Sequence, residues 1–405
     1  MNRSRSRSLS CGLVCAASAA ALTGIVIGCD DEDVVVGVPA EAGAGGAGGS
    51  GGMDAAAGSG GTDGAAGAGG AAGSTASDAG VLVTMANLVS DQTGVAGNTD
   101  PKLINAWGLA INPNAPGGPA FWVANEGSGT ATVYDRTGVP QPVTVTIPVP
   151  GNATVMGSPT GQVFNDSAAV FMGDRFILST TEGAIVGWQS GVAATVRADN
   201  SASEAAYTGL TMIDISEGRV LAAADFHNNK VDTFSSTYGP AAVVGDFMDP
   251  SMPSDFAPFN VAFLDGKIYV AYAKQDADKQ EEEAGPGLGY ISVFQANGTF
   301  SERFISEGAL NAPWAMTMAP SSYGSLAGTL LVGNFGDGRI NAYDKVTGDP
   351  RGQLMDASGQ PLVIEGLWAL VPGPTMPTLD LSQTLYFTAG PGDEAHGVFG
   401  AIRLR

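Results

Sequence analysis

The 405-residue sequence predicts an all-β fold: a six-bladed β-propeller closed by its N-terminal strand and preceded by a disordered Gly/Ala-rich linker. Three observations lead there. A short apolar motif returns six times at intervals near fifty residues. Each return is followed by the alternation and polar turns of a hairpin. No apolar pattern of 3.6-residue period reaches helical length. The 59 glycines and 23 prolines favour turns over long helices.

Residues 1–28 read as an export signal. Arg3, Arg5 and Arg7 supply the positive start, and an apolar stretch runs from Leu13 to Ile27, too short and alanine-rich for a comfortable membrane span. Val26-Ile27-Gly28-Cys29 resembles the bacterial lipobox, which implies acylation of the Cys29 thiol. The three cysteines are Cys11, Cys15 and Cys29, so removal of residues 1–28 leaves one thiol at the new N-terminus and no internal disulfide. The expectation is an exported, lipid-anchored protein of the cell envelope, in the periplasm or at the cell surface, whose membrane partner is reached through Cys29.

Residues 29–80 are nearly all Gly, Ala, Ser and Asp and have almost nothing to bury, so they are expected to stay disordered. About fifty Gly-rich residues span roughly 40 Å and form a leash. Gly48-Gly49-Ser50-Gly51-Gly52 matches the nucleophile-elbow pattern formally, but lacks the strand and helix that the elbow requires.

Residues 81–405 hold the propeller. The opening strands are Ala106–Ala110, Pro159–Val163, Tyr207–Thr211, Pro258–Ala262, Pro313–Thr317 and Leu367–Val371. Their second residues, Trp107, Thr160, Thr208, Phe259, Trp314 and Trp368, are spaced 53, 48, 51, 55 and 54 residues apart. A second strand, a polar turn and a third strand follow each. The first copy has Phe121–Ala124, a turn over Asn125–Gly129 and Ala131–Tyr134; the fifth has Thr329–Val332, a turn over Asn334–Gly338 and Ile340–Tyr343. Four-stranded units of this length, repeated, point to propeller blades. The last copy ends at Val398–Ile402 without a fourth strand, and Leu82–Val89 lacks a partner, so pairing these two would hide both edges.

In this architecture the turns between second and third strands share one rim. Asn125, Glu126, Glu182, Asp225, His227, Asn228, Lys274, Asp276, Asn334, Asp337 and His396 are the candidate ligand-binding residues, with Asp393 and Glu394 beside them. The same residue types also suit ordinary turns. His227 and His396 fall in opposed blades, so a shared metal and a Ser–His–Asp site lack support. No cofactor is expected; the rim's carboxylates and amide oxygens suit a hard cation of the Ca²⁺ type, and the metal is otherwise unspecified. The loop from Lys274 to Gly289 is rich in Asp and Glu but fails the EF-hand spacing, and reads as a solvated, mobile acidic loop. Trp107, Phe259, Trp314 and Trp368 read as packing between blades.

Asn87–Gln92 followed by Asp100–Ala110 resembles the opening of an uncharacterised family of exported bacterial propellers, and the resemblance extends over residues 81–405, including Ala273–Lys279. It implies a fold and no activity. Leu221–Val231 is similar to an NHL repeat, whose propellers mostly bind proteins or RNA. The formal charge of −22, from 40 acidic and 18 basic residues, argues against any nucleic-acid partner. Lactonase-type six-bladed propellers hold a metal through a Glu in the first strand, and Ala106–Ala110 carries none. The expectation is therefore a monomer that binds a small ligand or protein partner on its channel face, with a metal-dependent lactonase or esterase using rim carboxylates as the alternative.

Overall fold

The computed structural model describes residues 80–405. The expected export signal, Cys29 and the Gly/Ala-rich linker lie outside the described residues. Among the described residues, helical structure is confined to four three-residue 3-10 turns, and β-strands carry the architecture.

The strands form successive antiparallel meanders. The first contains Ala106–Asn112, Ala120–Asn125, Thr130–Tyr134 and Pro140–Thr146; the second contains Pro159–Phe164, Phe176–Thr180, Ala184–Trp188 and Thr195–Asp199. Tyr207–Ile215, Gly218–Asp225 and Lys230–Phe234 make a three-stranded sheet. Phe256–Leu264, Lys267–Gln275, Tyr290–Gln295 and Phe300–Ser306 follow, then Pro313–Met318, Leu330–Asn334, Ile340–Tyr343 and Pro350–Met355. In the last sheet Leu367–Pro372 pairs with Thr384–Ala389, which pairs with Val398–Leu404, whose other edge takes Val81–Ser90 from the start of the domain. The register runs from Val83 opposite Leu404 to Ser90 opposite Val398. Both loose edges anticipated from the sequence are thereby covered.

The inner strands of the sheets are buried on both faces, which explains why they are largely apolar rather than cleanly alternating, whereas outer strands such as Pro140–Thr146 and Thr195–Asp199 are mostly exposed or half-buried and more polar. Along Lys267–Gln275, Ile268, Val270 and Tyr272 pack into one core cluster, while Tyr269 and Ala271 pack into another. Phe121 and Val123 likewise face a different cluster from Trp122 and Ala124. The innermost strands contact one another in sequence, 106–112 with 159–164, then 207–215, 256–264, 313–318 and 367–372, and the last returns to the first. The fold is a β-propeller.

Small residues let the innermost strands approach this closely. A Cβ on Gly108 would run into the Thr160 carbonyl oxygen and sit 2.9 Å from the Gln162 nitrogen. Gly161 is confined in the same way by Leu210 of the next sheet.

The ring's centre is filled. Trp107 stacks on Trp368 with centroids 3.6 Å apart, Phe335 covers Trp368 at 4.1 Å, and Trp314 meets both tryptophans edge-on. Phe259 lies 5.9 Å from Trp368 although their strands are not neighbours, so this contact crosses the axis. The tryptophans expected between blades thus also plug the bore.

Candidate functional site

The structure moves several expected turn residues into strands. Asn125, Asp225 and Asn334 are the last residues of their second strands, and all three are fully buried. The reason is hydrogen bonding: at a strand end, a buried polar side chain can satisfy the turn that follows. Asn125 Nδ2 donates to Thr130 Oγ1 and Thr132 Oγ1 at 3.1 and 2.9 Å, and Thr132 passes the chain through the Tyr134 hydroxyl to Asp100. Asn334 Nδ2 donates to the Ala309 carbonyl and to Asp337, which also accepts from the Arg339 N–H. Asp225 accepts from the N–H groups of Ala206 and Asn228 and from Asn228 Nδ2. Burial pushes its carboxyl above the ordinary aspartate range, against the pull of those donors.

Other predicted residues also build turns. Both oxygens of Glu182 accept from the Ser158 N–H, at 3.0 and 3.1 Å. Lys274 lies in a strand and pairs with Glu283 at 2.5 Å, while Asp276 accepts from the Gln280 N–H at 2.8 Å. The segment expected as a mobile acidic loop instead folds back: Glu282–Glu283 pairs in antiparallel register with Lys274–Gln275. His227 Nδ1 sits 3.2 Å from the Lys279 carbonyl and 3.1 Å from the Gln280 amide nitrogen.

A different group converges where the last sheet meets the first. His396 Nδ1 is 2.8 Å from Asp91, and its Nε2 is 2.8 Å from the Gln92 amide nitrogen. A carboxylate only accepts, which puts the imidazole proton on Nδ1 and leaves Nε2 to accept from Gln92. Beside it, buried Asn105 receives the Trp368 indole N–H on Oδ1 at 2.9 Å. Asn105 Nδ2 donates to Glu126 at 2.9 Å and to Glu394 at 3.2 Å. The backbone locks the group together, because the Asn105 N–H donates to the His396 carbonyl and the Glu126 N–H to the Asn105 carbonyl.

Asn105, Asp393 and Glu394 all hold positive φ, at 45°, 53° and 66°. Non-glycine residues adopt that conformation at a cost, and such strain gathers at working sites. His396, Glu126, Asp393 and Glu394 were expected on this rim; Asp91, Gln92 and Asn105 were not. Their signal was present, since all three lie in the two segments that carried the family resemblance. Among the described residues, no group of three or more His, Cys, Asp or Glu side chains is placed to hold a metal ion. The arrangement instead offers a hydrogen-bonding imidazole beside carboxylates aligned by one amide.

No protein-family profile matches the chain. It is 34% identical over 332 residues to uncharacterized protein R648 of Acanthamoeba polyphaga mimivirus, an alignment covering 78% of each chain. Uncharacterized protein L690 of the same virus is 31% identical over 333 residues, covering 78% of this chain and 84% of the viral one. The chain belongs to their family. Among solved structures, the soluble aldose sugar dehydrogenase of Escherichia coli aligns with 80% of this chain and all of its own length, at 14% identity and TM-score 0.51. An α-L-arabinofuranosidase of Fusarium graminearum aligns with 79% of this chain and 97% of its own, at 11% identity and TM-score 0.51. These likenesses establish the propeller fold for this member of the R648 family.

Proposed function

We propose that this chain is a monomeric, lipid-anchored protein of the cell envelope whose six-bladed propeller binds a ligand or protein partner through the face carrying the second-to-third-strand turns. The observation that carries the reading is the convergence of His396, Asp91, Asn105, Glu126 and Glu394 on that face. The cycle of innermost strands supports six blades. Because aromatic side chains fill the bore, recognition is assigned to the rim surface and not to the channel interior.

The lipobox-like Cys29 and the Gly-rich leash support the anchor. Mass spectrometry of the mature N-terminus tests the anchor; an unmodified Cys29 removes it.

Binding is tested by thermal-shift and calorimetric screens of the full chain against sugars, lactones, Ca²⁺ and envelope extracts. A ligand of this face loses affinity with His396→Gln and Glu126→Gln but not with Asp265→Asn, which lies in a first-to-second-strand turn. A hit equally tolerant of all three substitutions overturns the assignment.

The convergence of Glu126 and Glu394 on one amide favours a second reading, a Ca²⁺-type metal-dependent lactonase or esterase using rim carboxylates. Hydrolysis abolished both by EDTA and by Glu126→Gln or Glu182→Gln would establish it over binding alone.

A further inference from the structure

We propose that the propeller axis contains an internal hydrogen-bonding site for small uncharged molecules, water foremost, lined by Trp107, Gln162 and Thr208. The indole nitrogen of Trp107, both polar atoms of the Gln162 amide and the Thr208 hydroxyl are all buried without a hydrogen-bonding partner. Turning the Gln162 amide over exchanges two unpartnered atoms and satisfies neither. Folded proteins leave few such groups unpaired, and an enclosed water is their usual partner.

The three residues lie on successive innermost strands, 106–112, 159–164 and 207–215, which contact one another. Gly108, next to Trp107, is packed against Gln162, with its Cβ direction 3.1 Å from the Gln162 Cβ. On the far side, Trp314 reaches across the ring to donate its indole N–H to the Thr208 carbonyl at 2.9 Å, and lies 6.3 Å from Trp107. Trp314 thus meets both the Trp107 ring and the Thr208 backbone.

The repeat explains why polar groups gather on this side. At the second position of the opening strand, the first and last three copies carry Trp107, Phe259, Trp314 and Trp368, whereas the second and third carry Thr160 and Thr208. The aromatic plug is lopsided. Thr160 finds partners in Ser179 and the Tyr207 carbonyl, which leaves Thr208, Gln162 and the Trp107 N–H as the unsatisfied set. None of these three is ionisable, so an ion would meet no counter-charge and an uncharged molecule is selected. An indole that only donates, an amide that does both and a hydroxyl that does both suit a molecule with donor and acceptor character, as water has.

The test is a crystal structure of the full chain at a resolution that shows ordered water, with thermal denaturation of Gln162→Met and Trp107→Phe. Both substitutions keep most of the side chain's bulk and remove its hydrogen bonding. Density is expected within about 2.7–3.2 Å of the Gln162 amide, and both variants are expected to melt a few degrees below the parent. A dry axis in the map overturns the proposal, and so does a Gln162→Met variant that melts higher, because removing an unpaired amide from a dry site is stabilising. If the variants do not fold, the parent's map decides.

Discussion

His396 Nδ1 lies 2.8 Å from the Asp91 carboxylate although 305 residues separate them in the chain. Asp91 follows directly on the closing strand, and its other oxygen accepts from the Gly397 N–H at 3.0 Å. One side chain thus fastens the start of the domain to the last turn of the ring. Asp91→Ala should cost about 1–3 kcal/mol by leaving these donors unpaired. Thr84→Ala, in the closing strand itself but exposed and with its side chain making only a 3.4 Å bond to the Arg403 carbonyl, should cost little. Equal urea midpoints for the two variants would show that the clamp adds nothing to ring closure.

Gly108 tests how tightly the innermost strands must approach. An added methyl would meet the Thr160 backbone, which cannot rotate away as a side chain could. Gly108→Ala should therefore destabilise by roughly 1–3 kcal/mol or more. Gly239→Ala is the control: its nearest neighbour would be Ser235 Oγ at 3.8 Å, so the change should be neutral or slightly stabilising. Denaturant titration of both reads the difference directly.

The architecture was legible because it rests on local repetition. Trp107, Phe259, Trp314 and Trp368 mark their strands by spacing alone, and the unpaired ends at Leu82–Val89 and Val398–Ile402 announced their pairing. What those tryptophans do together was not legible, because it depends on strands meeting across the axis, far apart in sequence. The rim was half legible. Asn125, Asp225 and Asn334 have the composition of turn residues, but whether such a residue is exposed or buried at a strand end depends on partners such as Ala309 and Ala206, each well removed in sequence. Asp91 and Asn105 looked unremarkable as single residues; only the closure of the ring brings them to His396.

Trp368 links the core to the rim, because its indole N–H holds Asn105 Oδ1 while Asn105 Nδ2 addresses Glu126 and Glu394. Trp368→Phe keeps an aromatic ring in the stack but leaves a buried amide oxygen unpaired. The expected loss is about 1–3 kcal/mol of stability, together with weaker binding of any ligand held by Glu126. Loss of stability with affinity intact would separate the core from the candidate face.

Asp249 gives the domain an acid-sensitive element. Its carboxylate is buried, which alone would raise its pKa, but Arg303 Nε at 2.8 Å, Ser292 Oγ at 2.7 Å and the Ser251 N–H and hydroxyl hold it below the ordinary value of 3.8. With the folded pKa depressed, the unfolded chain takes up this proton first as pH falls. The contribution to stability is thus complete above the unfolded value and is lost as pH drops below 3.8 through the folded one. Asp249→Asn cannot titrate and leaves the Arg303 charge without its partner, so it should be less stable than the parent by about 3–5 kcal/mol at neutral pH. That gap should narrow progressively as the pH falls below 3.8. Unfolding free energies measured for both chains across this range check the sign: curves that stay parallel would mean that the ionised Asp249 carboxylate contributes no pH-dependent stability.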